Sequence, residues 1–116
     1  MKKGIHYWGL PHTMNLREKM EFAKRLGFDG IELVIVEKGE LQPDCRKEEL
    51  MTIRRTAKET GIEIISVSSS LNWKCSFTSN DAQIRKKAGE MLRKQLYTAA
   101  ELNSEVALAL PGFVTA

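Results

Sequence analysis

The chain has 116 residues, a formal net charge of +3, 42% hydrophobic residues and 28% charged residues, the proportions of a soluble globular protein. No apolar run reaches the roughly 18 residues of a membrane-spanning helix, and the two lysines after Met1 lead into no apolar segment of a signal peptide. So small a charge, spread along the chain, makes no case for nucleic acid.

Cys45 and Cys75 form neither a CxxC pair nor a zinc spacing. Reduced thiols in a cytoplasmic protein are expected, with both cysteines incidental to function. The length fits one domain over residues 1–116.

The first β-like run is Gly4–Trp8. A helix is expected next, starting at Asn15, with Glu18 three residues on as a capping-box partner. Its apolar stripe is Leu16, Met20, Ala23 and Leu26, and Gly27 ends it. The second run, Gly30–Val36, is almost continuously apolar, as strands covered on both faces are. A second helix should begin near Asp44, carry Leu50, Ile53 and Ala57 on one face, and stop at Gly61. The third run is Ile62–Ser68. A long third helix should follow from a cap at Asn80 with Gln83, with Ile84, Ala88, Met91, Ala99 and Leu102 at helical spacing. The last run is Val106–Leu110.

The order β-α-β-α-β-α-β predicts an α/β fold: a parallel sheet of four strands with three helices, joined by right-handed crossovers. Connections into the strands are short, whereas the loops Gly9–Met14, Glu37–Asp44 and Ser69–Ser79 that leave them are longer. That asymmetry matches the first half of a (β/α)8 barrel, whose sites lie at the carboxyl ends of the strands. A small open sheet with helices on both faces fits the same pattern. A half-barrel would leave two open strand edges and an apolar sheet face, which invite self-association, so a homodimer is expected, the alternatives being a rearranged chain or a fragment of something longer.

Gly4-Ile5-His6-Tyr7-Trp8, followed by Ala23-Lys24-Arg25-Leu26-Gly27-Phe28-Asp29-Gly30-Ile31-Glu32-Leu33, resembles the opening of the sugar phosphate isomerase/epimerase family, the xylose-isomerase-like TIM barrels. Ser70-Leu71-Asn72-Trp73 with Phe77-Thr78-Ser79-Asn80-Asp81 resembles the loop after strand three in one subgroup, and Leu110-Pro111-Gly112 fits the end of strand four. The resemblance covers nearly the whole chain and the first half of the family's barrel. It implies isomerisation or epimerisation of a sugar or sugar phosphate by proton transfer next to a carbonyl. It also implies a divalent metal, Mn or Mg, that stabilises an enediolate in the full-length family. The family's metal ligands and catalytic carboxylates lie largely on strands five to eight. No catalytic residue, metal ligand or cofactor is therefore assigned to this chain, which alone is expected to be inactive.

The positions that the resemblance assigns to the pocket are His6 and Trp8 at the end of strand one, Glu32 on strand two and Trp73 after strand three. His6 is expected to donate to a sugar hydroxyl, the alternative being a packed histidine with a backbone partner. Glu32 interrupts an apolar strand and needs a partner or a solvated cavity. The two tryptophans offer flat faces on which a sugar can stack, or serve as packing. His12, with His6 and Glu32, could compose a metal site, but no ligand spacing supports one. Ser66 and Ser68 to Ser70 could bind hydroxyls or phosphate, the alternative being the polar end of a strand. Arg85, Lys86, Lys87, Arg93 and Lys94 spread around the third helix and read as a solvated face. The superfamily also contains metal-dependent DNA-repair endonucleases, whose histidine-rich cluster is not visible here.

Overall fold

Asn15 caps the first helix from both directions. Its side chain accepts the Glu18 amide at 2.9 Å, and Glu18 accepts the Asn15 amide at 2.8 Å. In the computed structural model, which describes residues 1–114, this box starts helix α1, Leu16–Arg25. Strand β1 (Gly4–His6) precedes it. Then follow β2 (Gly30–Ile35), α2 (Lys47–Thr60), β3 (Glu63–Ser69), α3 (Ala82–Glu101) and β4 (Ala107–Leu108). Short 3₁₀ turns, Tyr7–Gly9 and Ser70–Trp73, leave the carboxyl ends of β1 and β3.

The four strands are parallel and stand in the order β1-β2-β3-β4. A doubly wound sheet needs a reversal in that order, so the open sheet with helices on both faces is excluded. Sequential right-handed crossovers put the helices on one side, where α1 packs on α2 and α2 on α3. This is the first half of a (β/α)8 barrel. The helix-facing residues Ile31, Leu33, Ile35, Ile64 and Val67 join Met20, Leu50, Ile53, Ala99 and Leu102 in one buried core.

A bulge in β3 sets the other face. Ile31 pairs with Ile64, but Glu32 pairs with Ser66, so Ile65 has no partner. Without the bulge, alternation would send Ser66 towards the helices and Val67 inwards. The extra residue reverses both. Ile65 itself lies over the two glycines of the neighbouring strands. A Cβ added at Gly4 would meet its Cδ1 at 2.4 Å, and one added at Gly30 would meet its Cγ2 at 2.2 Å.

Several boundaries differ from expectation. Strand one ends at His6 rather than Trp8, because the His6 ring accepts the Trp8 amide and curls the chain out of the sheet. Strand two stops at Ile35, and strand three is shifted by one, to Glu63–Ser69. Helix α2 begins three residues after Asp44, where Glu49 accepts the Arg46 amide at 2.7 Å. The α3 cap is Asp81, which accepts the Gln83 amide, rather than Asn80. Strand four is only two residues long, not five. Leu26 caps α1 with its side chain exposed, and Ile84 is also exposed. The inner side of α3 instead uses Ala88, Gln95, Thr98 and Ala99. Gly61 ends α2 with φ 72°, the left-handed conformation that glycine adopts freely. Among the described residues, no helix is long and apolar enough to cross a membrane.

Candidate functional site

His6, Glu32 and Ser66 are register partners across three strands, so their side chains stand at one level of the sheet's inner face. His6 Nε2 lies 3.2 Å from Glu32 Oε1. The Ser66 hydroxyl donates to the other carboxylate oxygen, Glu32 Oε2. The Trp8 amide donates to His6 Nδ1 at 3.1 Å. That nitrogen therefore carries no proton, and the Nε2–H faces Glu32. Both imidazole nitrogens are thus engaged within the protein. The histidine holds a backbone turn on one side and a carboxylate on the other. Glu32 has its partners, as a partly buried carboxylate must.

Above this layer, towards the carboxyl ends of the strands, Trp8 and Trp73 flank a hollow of about 140 Å³. His6, Val34, Ser68 and Leu108 complete its floor and sides. The two indoles remain 56% and 54% exposed. Their supports differ. Trp8 lies 5.2 Å from the His6 ring, whereas Trp73 is tilted against Phe113 at 5.8 Å between centroids. His6, Trp8 and Trp73 thus line one hollow, and Glu32 adjoins it through its contact with His6. A flat apolar wall beside a hydrogen-bonded carboxylate is suited to a polyol, which presents C–H faces and hydroxyls together.

His12 does not join this group. It lines a different hollow, with Lys19 and Lys38. His6 and Glu32 bring two candidate metal donors together. Among the described residues, no third His, Cys, Asp or Glu side chain completes a cluster that could hold a metal ion. Cys45 and Cys75 are free thiols away from this layer, and the Gln42 amide donates to Cys45 Sγ at 3.3 Å.

Two residues take places that sequence spacing does not show. Ser66 reads as a hydroxyl or phosphate binder or as the polar end of a strand, and the bulge aims it at Glu32. Lys19 stands between Leu16 and Ala23 on the buried stripe of α1 and is 2% exposed. A lysine three residues after one core position and four before another is the signal that could have singled it out.

The family model described as Xylose isomerase-like TIM barrel matches residues 20–116. The chain belongs to the xylose isomerase-like TIM barrel family. Within this family it is similar to the L-ribulose-5-phosphate 3-epimerase UlaE of Escherichia coli O139:H28, at 28% identity over 112 residues. That match covers 95% of this chain and 39% of UlaE, so the chain spans under two-fifths of the relative's length. Among solved structures, a D-psicose 3-epimerase crystallised in the presence of D-fructose is 27% identical with a TM-score of 0.74. It matches 92% of this chain, which covers 36% of that one. The D-psicose 3-epimerase of Clostridium cellulolyticum H10 with D-tagatose superposes at a TM-score of 0.76 over the same shares, 92% and 36%. At 22% identity it speaks for the fold alone. The half-barrel of this xylose isomerase-like chain is thus found within larger sugar epimerases.

Proposed function

We propose that this chain supplies the first-half wall of a sugar-binding pocket, that of an epimerase or isomerase acting on a sugar or sugar phosphate. The observation that carries this reading is the layer His6–Glu32–Ser66 beneath two exposed indoles, at the carboxyl end of a half-barrel sheet. Trp8 and Trp73 cover the C–H faces of the ligand. Glu32 has lone pairs beyond its two protein partners and accepts from sugar hydroxyls. His6 fixes the carboxylate and the turn that carries Trp8.

Proton transfer at a carbon next to a carbonyl calls for an acid and a base. Glu32 is the one carboxylate of this layer, and it is held by His6 and Ser66. The chain alone therefore binds without turnover. The divalent metal, Mn or Mg, and the catalytic carboxylates belong to the strands that complete the barrel in the family.

The test is saturable quenching of tryptophan fluorescence by L-ribulose, L-ribulose 5-phosphate and D-fructose, with affinities by calorimetry. Trp8→Ala and Trp73→Ala should each weaken binding about fivefold or more, the range of a lost stacking contact. A folded chain that responds to no sugar overturns the reading. Turnover by the pure chain with added Mn²⁺ or Mg²⁺ overturns its second half.

A second reading rests on the exposed flank of β4 and α3. Leu96, Tyr97, Val106 and Leu108 all remain open there, and the outer edges of β1 and β4 have no strand partner among the described residues. Two copies would close on each other if β4 of each met β1 of the other, forming an isologous dimer. Light scattering on a sizing column should then give twice 13.1 kDa. A stable monomer at micromolar concentration overturns it.

A further inference from the structure

Trp8 belongs to two hollows. One is the hollow shared with Trp73. The other, of about 390 Å³, is bounded by the turn after β1 and the segment after β2, and Lys19, His12, Lys38 and Gly39 line it. Lys19 forms its root. The Nζ donates to the carbonyl oxygens of Tyr7 and Leu10, both at 3.3 Å, and sits 4.0 Å from the centre of the Tyr7 ring. These partners satisfy its protons without offering a negative charge.

The neighbouring carboxylates are engaged elsewhere. Glu37 accepts from Lys74 at 2.6 Å, and Glu40 accepts the Leu16 amide at 2.6 Å. Among the described residues, neither Lys19 nor Lys38 forms an ion pair. A buried ammonium without a counter-charge is costly, and burial pushes the Lys19 pKa down. Lys19 also lies in the first turns of α1, where the helix dipole is already positive. A fold that keeps such a charge beside an open hollow gains from an anion there.

We propose that this second hollow is the phosphate subsite of a sugar-phosphate ligand whose carbon chain crosses Trp8 towards the His6–Glu32 layer. This rests on the proposed function and sharpens it, because it selects phosphorylated sugars over free ones. A phosphate monoester carries about −1.5 to −2 charges at pH 7 and three strong acceptor oxygens. Lys19 supplies buried charge at the base of the hollow. His12 and Lys38 supply donors at its exposed rim.

The test titrates the 116-residue chain with inorganic phosphate, L-ribulose and L-ribulose 5-phosphate, read by ¹H–¹⁵N amide shifts and calorimetry. Phosphate alone should shift the Lys38 and Gly39 amides, and L-ribulose 5-phosphate should bind about tenfold or more tighter than L-ribulose, as charge-assisted hydrogen bonds allow. His12→Ala and Lys38→Ala should each narrow that ratio about threefold, and added salt should narrow it further. Lys19→Met should abolish it. The two exposed positions carry the test if the Lys19 variant fails to fold. Equal affinity for sugar and sugar phosphate overturns the subsite and leaves the sugar pocket standing. So does a preference that survives both surface substitutions. Phosphate shifts with no response to either sugar uphold the anion site and overturn the sugar reading.

Discussion

His6 and Glu32 face each other across β1 and β2 as register partners, with Nε2 3.2 Å from Oε1. The other ring nitrogen is held by the Trp8 amide. One imidazole thereby couples a carboxylate inside the sheet to the turn that presents an indole above it. Glu32 accepts on both oxygens, from His6 and from Ser66. Glu32→Gln keeps the shape but removes the charge: Oε1 can still accept from His6, while the Ser66 hydroxyl must turn to accept from the NH₂ instead of donating. The substitution should cost about 1–2 kcal/mol, the difference between charge-assisted and neutral hydrogen bonds in a part-buried network. Urea unfolding reads the cost directly. A change within about 0.5 kcal/mol would mean that the layer is not a stabilising unit.

Gly30 is required for room rather than for backbone conformation. A Cβ there would lie 2.2 Å from Ile65 Cγ2 and 3.2 Å from the Glu63 carbonyl oxygen. At Gly4 the clash is with Ile65 Cδ1, the far end of a flexible side chain. Gly30→Ala should therefore destabilise by about 1–3 kcal/mol, as overpacking does, and Gly4→Ala by less. Adding Ile65→Ala should recover part of the Gly30→Ala loss in a double-mutant cycle. Equal and independent effects at the two glycines would refute this packing.

The signals legible in the sequence were local. Asn15 and Glu18 announced the start of α1, Gly61 announced the end of α2, and the apolar runs announced a parallel sheet. Each of these depends on residues only a few positions apart. The bulge at Ile65 does not, because a register skip exists only relative to β2. Alternation along β3 alone cannot reveal that Ser66 meets Glu32. The end of strand one was misjudged for a related reason. Trp8 has strand propensity, but a hydrogen bond to the side chain of His6 overrides it. That His6, Trp8 and Trp73 share one hollow follows from strand order. The engagement of both His6 nitrogens does not.

Lys19 gives the fold a stability term that depends on alkaline pH. Its pKa lies below the ordinary 10.5 because burial disfavours the charged form. Below the folded value both states hold the proton, and the cost of burying it is fully present. Between the folded and unfolded values the unfolded chain binds more protons, so stability rises with pH. Above 10.5 the term is flat again. The stability difference between the native chain and Lys19→Met should therefore move in favour of the native chain as pH climbs through the alkaline range towards 10.5. Urea midpoints at stepped pH check it. A difference that stays constant over that range would show that Lys19 is as well solvated folded as unfolded.

Gln95 clamps the edge of the sheet. It is fully buried on α3, and its Nε2 donates to the carbonyls of Val67 and Leu108, both at 2.8 Å. Those carbonyls belong to β3 and to the two-residue strand β4. So short a strand makes few ladder bonds of its own, so a side chain that bridges both strands is a large share of its attachment. Gln95 Oε1 meanwhile has no partner among the described residues. Gln95→Leu removes that burden and fills similar volume, but it strands two carbonyls. The net global effect should be modest, about 1–2 kcal/mol destabilising. The local effect should be larger. Amide exchange at Ala107 and Leu108 should rise well beyond what the global change accounts for, while β2 amides follow the global change alone. Because β4 carries Leu108 into the hollow beside Trp8 and Trp73, the same variant should also weaken the sugar binding proposed there. Uniform acceleration across all four strands would instead mean that β4 is held by the ladder and that Gln95 is ordinary core.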